Sequence, residues 1–263
     1  MPLHADEHGD PANPRVVLVH GFTQTRRSWQ PLLPRLAARH HVVAVDAPAH
    51  GRSASHRTDL VDGAALLGDT GGRAAYVGYS MGGRLTLHLA LQRPELVERV
   101  VLVGATAGLD TDDERTARRQ ADEALARDLE RDGLDAFLER WLANPLFATL
   151  PTDAAALEDR KENTVEGLAD SLRRTGTGTQ RPSWNDLATL PMPALLVAGA
   201  RDEKFTALAH RLAEAWGGPA RVALIDDAGH ACHLERPDAF LDVVEPFLDE
   251  GQRTSSPAAS NNP

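Results

Sequence analysis

The chain has 263 residues, 42% of them hydrophobic, which suits one large domain, and no apolar run is long enough for a membrane span. A net charge of −10 argues against non-specific nucleic-acid binding, and a single cysteine, Cys232, excludes an internal disulfide. The polar, acidic start MPLHADEHGDPANP lacks the apolar stretch of a secretion signal, so a reducing cytoplasm is the expected setting.

In chain order, β-branched runs alternate with helical periodicity. RVVLVH (15–20) reads as a buried strand, followed by a helix over 28–39 and a second strand, HVVAVDA (41–47). AAYVGY (74–79) leads into a helix over 82–92, and RVVLVGA (99–105) is the next strand. From about 107 to 190 the strand signal stops, leaving Arg- and Glu-rich helical sequence broken by Gly, Pro and Asn. Strands return at PALLVAGA (193–200) and RVALIDD (221–227), each followed by a helix, near 205–216 and 237–249. This order predicts an α/β fold with a mostly parallel sheet. The core spans 1–106 and 191–250, a helical cap covers 107–190, and the hydrophilic tail 251–263 is expected to be disordered.

Gly78-Tyr79-Ser80-Met81-Gly82 is a G-x-S-x-G element between a predicted strand and a predicted helix. That context puts Ser80 on a sharp turn with its hydroxyl exposed, the nucleophile elbow of the α/β-hydrolase fold. The Met81 N–H, at the helix start, can face a developing oxyanion, and Phe22 of His20-Gly21-Phe22 supplies the second backbone donor. A serine needs a base and the base an orienting acid, ordered Ser, Asp/Glu, His in this fold. Asp202 in GARDEKF and His230 in DAGHACHLERP follow the last two strands and fit. Asp226 and Asp227 rival Asp202, and His233 rivals His230. The run His230-Ala231-Cys232-His233 has no second ligand pair elsewhere, so no metal is expected. The D-x-P-x-H-G-x-S stretch from Asp46 to Ser53 reads as structural. A serine rather than an aspartate at the elbow argues against epoxide hydrolases and haloalkane dehalogenases, which need a carboxylate nucleophile.

Arg84 stands one helical turn beyond Ser80, on the same face. A fixed guanidinium beside the nucleophile suits an anionic substrate, because its planar fork matches a carboxylate. Arginine carries nearly all the positive charge, and Lys161 and Lys204 are the only lysines.

With these residues in place, the chain resembles the 2-succinyl-6-hydroxy-2,4-cyclohexadiene-1-carboxylate synthases of menaquinone biosynthesis. HGFTQTRRSW and DAPAHGRS are common to many α/β-hydrolases, AGHACHLERP also looks like a family segment, and GYSMGGR combined with GARDEKF and WLANPLFATL is more specific. The resemblance puts the triad on Ser80, Asp202 and His230, and substrate contacts on Tyr79, Arg84, Arg118, Trp141 and Arg160. Arg119 is the alternative to Arg118, and Leu142 departs from the aromatic residue that often follows the tryptophan. It implies a lyase that expels pyruvate from a tricarboxylate small molecule, with no cofactor; a monomer is the simplest state. The alternatives are a serine carboxylesterase, a carbon–carbon bond hydrolase of the same fold, or a non-catalytic binding protein.

Overall fold

The computed structural model describes residues 1–250, so the tail at 251–263 lies outside the described residues. Seven strands form one sheet: β1 (Ala5–His8), β2 (Arg15–Val19), β3 (His41–Val45), β4 (Ala74–Tyr79), β5 (Val97–Val103), β6 (Ala194–Gly199) and β7 (Ala220–Ile225). The spatial order is β1-β3-β2-β4-β5-β6-β7, parallel throughout except for β1, which runs antiparallel to β3. The β-branched runs seen in the sequence form the six parallel strands. Those at the centre are buried on both faces, as the helical layers of an α/β sandwich require.

The helices are α1 (Leu33–Leu36), α2 (Leu60–Gly71), α3 (Met81–Gln92), α4 (Asp112–Asp132), α5 (Leu134–Leu142), α6 (Leu157–Arg160), α7 (Val165–Thr175), α8 (Glu203–Ala215), α9 (Cys232–Glu235) and α10 (Pro237–Asp249). Leucines and alanines of α2, α3 and α8 join one face of the sheet in a single apolar cluster. On the other face α1 and α10 do the same through Leu36, Phe240, Val244 and Phe247. Helices α4 to α7 all lie between β5 and β6 and bury a smaller cluster of their own, built on Leu129, Phe137, Leu138, Leu168 and Leu172.

Two expectations need correction. The single helix over 28–39 is instead a short 3₁₀ turn, Arg26–Trp29, and the one-turn α1. Pro31 and Pro34 lack the N–H that a continuous helix would use and split it. Strand β1, absent from the sequence reading, carries the polar run Ala-Asp-Glu-His. An edge strand open to solvent needs no apolar alternation, and its register comes from main-chain pairing with β3.

Because β4, β6 and β7 are parallel and in register, their C-terminal ends lie level, with Tyr79 beside Val103 and Gly199 beside Ile225. The loops after them therefore open on one edge of the sheet, where open α/β folds place their sites.

Candidate active site

Ser80 sits between β4 and α3 with φ at +51°, a conformation that L-residues rarely hold. Its N–H donates to Val103 O at 2.8 Å, tying the turn to β5. The turn also requires close approach: a Cβ on Gly82 would lie 2.1 Å from Val19 O. Backbone strain and enforced glycine at one point mark a serine held out for contact.

The Ser80 Oγ is 3.2 Å from His230 Nε2, and His230 Nδ1 is 3.0 Å from Asp202 Oδ2. Burial alone would raise the Asp202 carboxyl, but the hydrogen bonds from His230 and from the Phe205 amide hold it below its ordinary range. An ionised carboxylate can only accept, so Nδ1 carries the proton and Nε2 is left to accept from the Ser80 hydroxyl. Asp202 is also the N-cap of α8, its Oδ1 accepting from Phe205 N at 3.1 Å, so the helix fixes the carboxylate. The rival acids lie elsewhere. Asp226 and Asp227 are exposed, and Asp227 pairs with Arg201 at 2.7 Å. His233 packs its ring 4.3 Å from Tyr79 and 4.8 Å from Trp29, and burial pushes it down to about 3.

The His230 loop has a brace that the sequence reading missed. Glu235 accepts from Gly229 N at 2.7 Å and from Ala231 N at 3.1 Å, gripping the amides on both sides of the histidine. Its spacing, five residues after His230 and at the end of the one-turn α9, is the only signal the sequence offers.

The site opens into a cavity of about 180 Å3 lined by both oxyanion candidates, Phe22 and Met81, by Ser80 and His230, and by Tyr79, Arg84, Arg118, Trp141 and Arg160. Asp202 stands behind His230, outside the lining. Among the described residues, neither the Phe22 nor the Met81 N–H donates a hydrogen bond. Aromatic rings form one wall, with Trp141 5.1 Å from Phe22 and 5.8 Å from Phe147. Leu142 is not part of it; Leu146 and Phe147 take that stretch of wall. Arg119 is also outside, donating to Gly178 O at 2.9 Å and Thr116 Oγ1 at 2.8 Å, so Arg118 is the one facing the cavity.

Charge in this cavity is unusual. Arg84 is only 7% exposed, its Nη1 has no hydrogen-bond partner, and it forms no ion pair among the described residues. Burial, and then the nearby Arg118, push it down to about 10, with Asp122 partly offsetting them. Arg160, 3% exposed, donates through Nε to Ala155 O at 2.8 Å and through Nη1 to the Thr23 hydroxyl, again with no carboxylate partner among the described residues. Burial holds it near about 10 as well. Both remain cations at neutral pH. Arg118 differs, its Nε donating to Asp122 Oδ1 at 2.8 Å. Asp122 was overlooked in the sequence, although its i,i+4 spacing from Arg118 was visible.

Core loops dock the segment that carries Arg160. Asn163 donates to Thr23 O at 2.8 Å and accepts from Gly51 N at 2.9 Å. Arg26 reaches both Glu162, at 3.1 Å, and the buried Asp46, at 3.0 Å. Asp46 also accepts from the Arg26 and Arg52 amides, so the D-x-P-x-H-G-x-S stretch holds loops together and stays outside the lining of this cavity.

The family model for the alpha/beta hydrolase family matches residues 16–243. A Salmonella typhimurium protein named 2-succinyl-6-hydroxy-2,4-cyclohexadiene-1-carboxylate synthase is 31% identical, covering 94% of this chain and 99% of its own. A Bacillus subtilis protein given the same name provisionally is 34% identical over 93% of both chains. The solved structure of MenH from S. aureus superposes with a TM-score of 0.87 at 28% identity, covering 95% of this chain and 99% of that one.

Proposed function

Because this chain belongs to the alpha/beta hydrolase family, and within it to the 2-succinyl-6-hydroxy-2,4-cyclohexadiene-1-carboxylate synthases, we propose that it is a menaquinone-pathway lyase. Its reaction is the elimination of pyruvate from 2-succinyl-5-enolpyruvyl-6-hydroxy-3-cyclohexene-1-carboxylate. The observation that carries this reading is the pair of buried arginines, Arg84 and Arg160, that form no ion pair among the described residues and open into the cavity of Ser80 and His230. A cavity serving neutral esters would gain nothing from cations whose burial costs several kcal/mol each.

The geometry supports the following steps. Substrate carboxylates seat on Arg84 with Arg118 and on Arg160, and the succinyl carbonyl points to the amides of Phe22 and Met81. His230 takes the Ser80 proton through Nε2, at 3.2 Å, and the resulting alkoxide removes the proton beside the succinyl carbonyl. Asp202, bound to Nδ1, stabilises the imidazolium. The enolate, held by the two amides, sends its electrons through the ring and breaks the carbon–oxygen bond to the enolpyruvyl group, which leaves as the enolate of pyruvate and takes the His230 imidazolium proton to become pyruvate. Helices α4 to α7 act as the cap, whose Trp141 and Phe147 exclude water and strengthen each charge contact.

The direct test supplies the enzymatically made substrate and follows pyruvate release. The proposal expects acceleration over the spontaneous elimination. No acceleration, with brisk hydrolysis of neutral esters, would return the chain to the hydrolases.

A further inference from the structure

Three arginines do not supply three uncompensated charges here. Asp122 is 2% exposed, binds Arg118 through Oδ1 at 2.8 Å, and also offsets Arg84. Arg84, Arg118 and Asp122 together carry one net positive charge, and Arg160, in the lobe beside Tyr79, carries a second. A ligand with three carboxylates calls for a third free cation. The cavity lining holds one, Lys204.

Lys204 lies in the first turn of α8, two residues beyond the triad acid. Its Nζ is 5.6 Å from the centre of the Phe205 ring, and that ring is 4.3 Å from the His230 imidazole. Among the described residues Lys204 has no ion pair. The other lysine, Lys161, is held by Glu158 at 2.8 Å and Asp135 at 3.6 Å. A cation in the first turn of a helix also faces the positive end of the helix dipole, where the favoured sign is that of its neighbour Glu203. Lys204 thus opposes the helix dipole and feels Asp202 only at a distance, and it stands without an ion pair among the described residues at the exposed rim of a cavity that already holds buried cations.

We infer that Lys204 is a specificity-determining residue whose ammonium takes the substrate carboxylate at the cavity mouth, on the His230 side. Arg84 with Arg118, and Arg160, take the two deeper carboxylates. The inference rests on the multi-anion substrate proposed above. A lysine suits the rim: its flexible stem follows an entering ligand, and its hydrated point charge releases a leaving one more readily than a guanidinium fork.

Titration calorimetry of the full chain with benzene-1,3,5-tricarboxylate and with benzoate tests this directly, comparing wild type, Lys204→Gln and Lys204→Arg. The glutamine variant should bind the tricarboxylate about three- to tenfold more weakly, the range for a partly exposed charge contact, and benzoate nearly unchanged. Arginine should restore most of the affinity, and the salt dependence should be shallower in the glutamine variant. Equal tricarboxylate affinity in wild type and Lys204→Gln at low salt overturns the inference, as does a wild type that binds the tricarboxylate no better than benzoate. Pyruvate release by the wild type is scored separately. If it is absent while the tricarboxylate discrimination holds, the elimination falls and the anion subsite stands.

Discussion

The two walls of the cavity treat charge in opposite ways. At the strand ends the triad side chains all have protein partners: Asp202 holds His230 and the Phe205 amide, and His230 meets Ser80. Glu235 braces the loop from behind. In the same cavity, Arg84, one helical turn beyond Ser80, and Arg160 are desolvated with no ion pair of their own among the described residues. The triad is complete in the free protein. The second wall is complete only with an anionic ligand, and its cost in folding free energy is the cost of waiting for one. Generic proton-transfer chemistry thus sits on the triad, and substrate choice on the buried arginines together with Lys204 at the rim.

The harshest way to break the first wall is to remove its members. Ser80→Ala or His230→Ala should lower kcat by roughly a thousandfold or more, and the double variant should be little worse than either, because they act as one unit. Asp202→Asn should be nearly as damaging. If Asp202→Asn were close to silent, the orienting role of that carboxylate would be refuted.

On the second wall, activity and stability should move in opposite directions. Arg84→Met should reduce kcat/KM on the tricarboxylate about ten- to a hundredfold, as expected for losing a charge-assisted contact. The same change should raise unfolding free energy by about 1–2 kcal/mol, since an apolar chain of similar length replaces a buried unpaired cation. Urea unfolding checks this, and a clear loss of stability would mean that Arg84 has a structural partner.

Acid should weaken the fold through groups outside both walls. Burial pushes His20 and His88 down to about 4 and His50 and His233 down to about 3. In the unfolded chain each titrates near 6.5, so below that pH the unfolded state binds protons that the folded state refuses. Stability is therefore full above about pH 6.5 and falls as the pH drops toward 4, by up to about 1.4 kcal/mol per pH unit for each histidine. Melting temperatures between pH 7 and 4.5 should show this decline, and His233→Phe should make it shallower. A flat profile would contradict the buried neutral rings.

The smallest effect sharpens the boundary of the site. Arg119→Ala should leave kinetics unchanged and shift stability by no more than about 0.5 kcal/mol, while Arg118→Ala weakens substrate binding. Equal behaviour of the two variants would dissolve the distinction between the arginine that lines the cavity and its neighbour that does not.

Much of this was legible in the sequence because it depends on local pattern. β-branched runs gave the six parallel strands, and the strand–turn–helix context of G-x-S-x-G gave the elbow at Ser80. Strand β1 was not legible, because main-chain pairing at a polar sheet edge leaves no apolar trace. The proline-split turn at 26–36 was hidden by leucines with helical spacing. Asp122, Lys204 and Glu235 escaped for another reason: i,i+4 spacing and a nearby loop carboxylate are common in any helical sequence, and only the folded cavity shows that Asp122 and Lys204 line it and that Glu235 braces the His230 loop. The choice between Arg118 and Arg119 likewise needed the side-chain directions along α4.

The separation of the two walls is tested most directly by one variant on two substrates. Wild type and Arg84→Ala would be compared by kcat/KM on the tricarboxylate, followed by pyruvate release, and on a neutral p-nitrophenyl ester, followed by p-nitrophenolate. If Arg84 reads substrate charge and leaves the proton relay alone, the variant loses about tenfold or more on the tricarboxylate and about twofold or less on any residual ester turnover. Equal losses on both substrates would contradict the division and make Arg84 a structural support of the triad.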